Sequence, residues 1–388
     1  MRRQKTTRRA VARGLAAAMA IAGIAAASAG PATAATAKGS AAMILAGHAK
    51  GRTLSGQGVK VIAGSPATQD GRTLSLPISA VDPGSGASAT ADGSLQFKQG
   101  KRVVTLSELR FDFAAGTLKG KVGGEEVSFF RLSTGAVLNS STGAATLLDA
   151  KLRLTADAAE ALQEKLGLER ALRRDGVGMA WLSAKANPVL EPAKAITSGT
   201  VDWGVLASWR AYILANVPPP PPTNGTIEVT GGATATGPLS SPATTYGFPA
   251  TGGSFERGLY GAADELALQS QGGVVFKKPG HCIVEVALSN PRVKIDGANS
   301  SLTLDAQYDT DGGPPHVCNV NLPVVTTDDV TFATLDTSAV TPTYSNGGKT
   351  ITWSTIPVTL TAAGSAAFGA GYKAGQPLDP ITVTVTTG

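Results

Sequence analysis

Apolar and polar residues alternate in short runs along most of this chain, and Gly, Asn, Asp and Pro break the runs. Alternation at period two sets the apolar side chains on one face of a strand, so these runs predict half-buried sheet. Leu109-Arg110-Phe111-Asp112-Phe113 shows the pattern best. In the first half strands are expected at 58–62, 73–78, 94–97, 102–106 and 109–113. In the second half they are expected at 225–230, 273–277, 282–288, 292–295, 302–306, 350–353, 358–361 and 381–386. Two segments change to helical spacing. From Thr155 to about Arg173, Thr155 can cap, Asp157 sits in the first turn, and Ala158, Ala161, Leu162 and Leu166 form a stripe. From Val205 to Ala215, Trp209, Tyr212 and Ile213 share helical spacing until the run Pro218–Pro222 stops it.

The pattern predicts a mainly β protein of two β-rich, β-sandwich-like domains, each with a short helix. The first spans 38–195 and the second 197–388, with Asn187–Pro192 as the linker. The halves read as distant repeats. Phe97-Lys98-Gln99-Gly100 recurs as Phe276-Lys277-Lys278-Pro279-Gly280, each followed by a β run and a basic residue, Arg110 or Arg292. Thr117-Leu118 recurs as Ser301-Leu302, and Leu154-Thr155-Ala156 as Leu360-Thr361-Ala362. The offset grows from 179 to 206, so the second copy carries insertions.

Charge changes the picture only at the start. The chain of 388 residues has a net charge of +6, and six basic residues lie before residue 14. Without them, 28 basic residues face 28 acidic ones. A neutral remainder excludes a basic footprint for nucleic acid or an anionic membrane. The leader reads as a signal peptide of residues 1–34: a basic start, an apolar run from Gly14 to Gly30, and Ala32-Thr33-Ala34 as the cleavage site, with Ala35-Thr36-Ala37 as an alternative. Arg8-Arg9 matches a twin-arginine signal loosely, and the ordinary secretory route is preferred. A secreted or envelope-associated protein without a membrane anchor is expected. Its two cysteines, Cys282 and Cys318, are then expected to form a disulfide; two free or metal-binding thiols are the alternative, with no CxxC spacing behind it.

Enzyme motifs are scarce. HExxH, GxSxG, the Walker loop and GxGxxG before a helix are all missing from the sequence. Three histidines at unrelated spacing give no zinc site; His48 and His316 read as exposed loop residues. The reactive residues are unevenly shared: all six tyrosines, both cysteines and two of the three histidines lie in the second half. Lys101 stands roughly where the second copy has His281.

Gly199-Thr200-Val201-Asp202-Trp203-Gly204-Val205, followed by Ser208-Trp209-Arg210-Ala211-Tyr212-Ile213, resembles the opening of the HtaA domain, the haem-binding module of actinobacterial haem-uptake proteins. The resemblance continues through Gly273–Phe276, Gly280-His281, Leu288–Val293, Thr359–Gly364 and Leu378-Asp379-Pro380, so it spans about Gly199 to Val385. It implies a non-enzymatic carrier of Fe(III) protoporphyrin. Tyr212 would ligate the iron and His281 would support the phenolate, with Trp209 and Phe276 as candidate pocket walls. Trp209 stands where the family usually has phenylalanine, and Cys282 where it commonly has a small residue. The first half resembles a divergent copy without haem ligands. The implied partners are haem, haemoproteins as donors, and a membrane haem transporter or haem-binding lipoprotein as acceptor. Periodicity alone leaves Tyr212 an amphipathic residue with its hydroxyl at the surface. On that reading the protein is a structural or adhesive envelope protein without cofactor. A secreted hydrolase using a carboxylate pair is the third possibility.

Overall fold

The computed structural model describes residues 35–45, 53–84, 87–133, 135–172, 174, 177–215, 224–278, 284–309, 324–368 and 372–388. They form two large antiparallel sheets with the same strand order. The first holds β1 (Ala35–Leu45), β2 (Lys60–Gly64), β3 (Thr73–Asp82), β4 (Ser88–Ala91), β5 (Ser94–Gln99), β6 (Arg102–Asp112), β7 (Thr117–Val122), β8 (Glu125–Leu132), β9 (Ala144–Leu154) and β10 (Gly178–Ala186). The second holds β11 (Lys194–Trp203), β12 (Thr226–Thr230), β13 (Tyr246–Glu256), β14 (Glu265–Ser270), β15 (Gly273–Lys278), β16 (Val284–Ile295), β17 (Ser301–Asp309), β18 (Val324–Leu335), β19 (Thr350–Leu360) and β20 (Pro377–Thr387). The mainly β, two-domain expectation therefore holds.

Each sheet pairs round on itself. In the first the order is β6-β4-β3-β1-β10-β9-β8-β7, and β7 pairs back to β6; β5 and β2 extend from β6. Adding ten to every label gives the second sheet, strand for strand. The repeat read from a few motifs is thus a repeat of topology. Apolar side chains such as Leu76, Leu106 and Phe111 fill the first core, and Val201, Phe248 and Leu302 the second. Closure leaves few free edges and buries one face of most strands around a single core.

Long strands bend at residues with left-handed backbone. Glu108 (φ 50°) divides β6, so its first part pairs with β5 and its second with β4. Asn290 (φ 51°) does the same in β16, between its β15 and β14 partners. Register shifts there, between Ser107 and Arg110 and between Ser289 and Arg292, mark β-bulges. Asp149 in β9 and Thr355 in β19 form a second matched pair.

The helices are equivalent as well. Thr155 Oγ1 accepts from Ala158 N at 3.1 Å and starts α1 (Ala156–Leu166). Thr361 Oγ1 accepts from Gly364 N at 3.0 Å and starts α3 (Ala362–Ala366). α1 ends well before the expected Arg173, because Gly167 turns left-handed (φ 65°) and closes the helix. Between β1 and β2 the described residues hold only a 3-10 turn, Ser55–Gln57; between β11 and β12 stands α2 (Ala207–Leu214). The offset between equivalent residues is 184 at Leu118/Leu302 and 203 at Phe129/Phe332, so the largest insertion lies between β17 and β18.

The segment read as a linker carries a ladder of its own. Val189–Leu190 pairs with Gly258–Leu259. Tyr260, in the next position, is buried among apolar residues of the first core and lies against Gly143. The second sheet also takes in Lys194 and Ala195, on the first side of the expected boundary.

Candidate functional site

α2 is two turns long, and a helix that short is marginal in water on its own. Side chains from distant strands hold both of its ends. At the N-terminus, Asp379 of β20 accepts from Ala207 N through Oδ1 at 3.0 Å. Its Oδ2 meets Arg210 Nη1 at 2.6 Å. Arg210 is only 3% exposed, and it also donates to Gly204 O and, at 2.7 Å, to Pro242 O. Trp203 Nε1 donates to Asp379 O at 3.0 Å. Gly204 fits because a Cβ there would stand 2.5 Å from Asp379 Oδ2.

At the C-terminus the carbonyls that lack helical partners meet Lys278, the last residue of β15. Its ammonium donates to Tyr212 O, to Ala215 O at 2.9 Å and more weakly to Ile213 O at 3.4 Å. It also lies 4.6 Å from the centre of the Tyr212 ring. Burial lowers the pKa of this ammonium from the ordinary lysine value.

These anchors fix what α2 presents. Trp209, Arg210 and Ile213 face inward, whereas Tyr212 is 47% exposed. Trp209, one turn earlier, sets its ring 5.7 Å from that of Tyr212. Trp209 in turn contacts Phe276 of β15 (6.1 Å), Phe368 (5.1 Å) and Tyr372 (5.8 Å). The structure therefore brings Tyr212 and Trp209 together at the surface end of an aromatic cluster, with fully buried Phe276 behind Trp209. His281, Cys282 and Cys318 lie outside the described residues, as do His48 and His316.

Two polar atoms in this cluster, Trp209 Nε1 and Tyr246 Oη, are buried without a partner among the described residues. Burial pushes the Tyr246 phenol up to about 12, and the nearby Arg210 cation offsets only part of that effect. Tyr246 is thus kept neutral and away from solvent, whereas Tyr212 is the most exposed phenol of the cluster. Below pH 10 the raised value contributes fully to stability; the contribution is lost as pH rises through about 12, because the unfolded chain ionises first. Tyr246→Phe should therefore lose less stability than wild type between pH 8 and pH 11, and should fold normally at pH 7, since the hydroxyl lacks a partner. Denaturant melts at the two pH values measure this; equal losses would remove Tyr246 from the account.

An exposed phenol on a fixed helix, with flat aromatic faces around it, suits a planar ligand whose metal accepts an anionic oxygen. Among the described residues no group of three or more His, Cys, Asp or Glu side chains could hold a metal ion. No described helix is long and apolar enough to cross a membrane. Sequence reasoning missed Lys278, Asp379 and Arg210 as the residues that set Tyr212 in place.

The family model of HtaA (Htaa) matches residues 198–384. Among solved structures, the heme binding protein HtaB from Corynebacterium glutamicum is similar: 23% identity, TM-score 0.37, covering 52% of this chain and 98% of its own. The C-terminal domain of HtaA from the same organism gives 22%, 0.37, 50% and 99%. Its N-terminal domain gives 20%, 0.38, 50% and 98%. No curated protein matches the chain. Residues 198–384, which carry α2, its anchors and Tyr212, are thus the part of the chain that matches the HtaA family model.

Proposed function

We propose that this is an exported haem-binding protein that captures ferric haem through Tyr212 and passes it to an uptake system. One observation carries the reading: the tyrosine that the family resemblance assigns to iron is half exposed on a helix clamped at both ends. A phenol has a pKa near ~10, so it needs a strong Lewis acid to ionise at neutral pH. Ferric iron supplies that acidity when haem is bound. The chain's own part is to hold the phenol oxygen toward solvent and to give it an aromatic flank in Trp209. His281 is proposed to donate a hydrogen bond to the phenolate oxygen. The first domain, which has no tyrosine, is proposed as a spacer or docking surface that takes no haem.

Haemin titration of the purified chain, followed at the Soret band, tests the reading. His281→Ala should weaken binding by about 10–100-fold, the usual cost of losing a partner behind a metal ligand, while keeping a tyrosinate-type spectrum. Unchanged affinity in that variant would exclude His281 from the site.

A further inference from the structure

We propose that Lys278 is the built-in counter-cation of the Tyr212 phenolate and sets the electronic character of the iron bond as well as closing the helix. The inference rests on the haem reading above. Lysine is almost never this deeply buried unless it is paired. Lys278 is 5% exposed, yet among the described residues no carboxylate lies within ion-pair distance of it. Lys277, its neighbour in β15, pairs with Glu228 and Glu285 on the outer side of the sheet. The other buried cation at α2, Arg210, has Asp379. Among the described residues Lys278 has only the carbonyls of Tyr212, Ile213 and Ala215, which carry the partial negative charge of a helix C-terminus. A full positive charge is therefore held beside groups that offset only part of it.

The ring facing that charge at 4.6 Å belongs to Tyr212, whose phenol can become an anion. As a neutral phenol it offers a cation–π contact. As a phenolate it offers a full counter-charge, and in a partly desolvated place such a pair interacts strongly. The cation draws electron density from the phenolate oxygen and stabilises the less positive state of a bound metal. Lys278 acts through Tyr212 and is a positioning residue.

Two neutral variants separate charge from capping. Lys278→Gln keeps donors for the carbonyls, and Lys278→Met removes both; Lys278→Arg keeps the charge. The full chain is loaded with haemin, and the phenolate-to-iron(III) band and the midpoint potential are measured. Amide exchange at Tyr212–Ala215 is followed without haemin. The neutral variants should shift the band to longer wavelength, lower the potential and weaken haemin binding by about 10-fold or more. Lys278→Arg should restore the band. Exchange should quicken most in Lys278→Met. If a folded neutral variant quickens exchange but leaves band and potential unmoved, Lys278 is a helix cap only and the inference falls alone. A wild-type chain that takes up no haemin overturns the inference and the haem reading together.

Discussion

Tyr212→Phe should lose haem binding by well over 100-fold with its fold unchanged. The variant removes one oxygen and keeps the ring. That ring lies on Trp209 and under Lys278, and both contacts survive the change. The phenol oxygen is expected to be the anionic donor to the iron, and losing a direct ligand should cost more than the 10–100-fold typical of a residue behind it. Tyr212→Ala should bind as poorly, and would also give up aromatic and cation–π contacts worth about 1 kcal/mol each. Circular dichroism and thermal melts verify the fold, and the Soret titration gives the affinity. A folded Tyr212→Phe chain with wild-type affinity would move the ligand elsewhere.

Asp379→Ala should destabilise the second domain by about 3 kcal/mol. That is the low end for breaking a buried ion pair, because Asp379 itself is partly exposed. Among the described residues the change leaves buried Arg210 only the carbonyls of Gly204 and Pro242, and leaves Ala207 N without its acceptor. For a domain of this size the melting midpoint should drop by about 10 °C. Haem affinity should fall too, because α2 loses its first anchor. Asp379→Asn, which can still accept from Ala207 N, should lose less. A midpoint within about 2 °C of wild type in the alanine variant would show that the pair contributes little.

Much of this architecture is legible in the residues, and what is not has physical causes. The two helix caps, Thr155 and Thr361, stand in matching motifs and start matching helices. Gly167 is a helix stop visible in the sequence, although the polar pattern beyond it suggests a longer helix. The strand patterns around Glu108, Asn290 and Thr355 each read as two short strands. In the fold each is one long strand, because a left-handed residue shifts the alternation without ending the pairing. β13 is not among the expected strands, since Gly247, Pro249, Gly252 and Gly253 interrupt its alternation; it is held by partners on both edges. Closure of the sheets depends on pairing between β6 and β7 at a bulge, which no local pattern reveals.

At the site, Tyr212 and Trp209 were visible as neighbours on one helix. Their anchors were not. Lys278 is 66 positions from Tyr212, and Asp379 is 169 positions from Arg210. A lysine at the end of a strand reads as solvated, and an aspartate before a proline reads as a turn. Only the fold brings them to the two ends of α2. The resemblance to HtaA singled out the tyrosine; the packing supplies the reason it is held there.

One haemin titration of the full chain tests the central claim most directly. The account predicts a Soret band that saturates at one haem per chain, with a tyrosinate-type ferric spectrum that Tyr212→Phe abolishes. A chain that stays colourless would favour the cofactor-free envelope protein. Saturation at two haems, or an unchanged band in folded Tyr212→Phe, would contradict a single site at Tyr212.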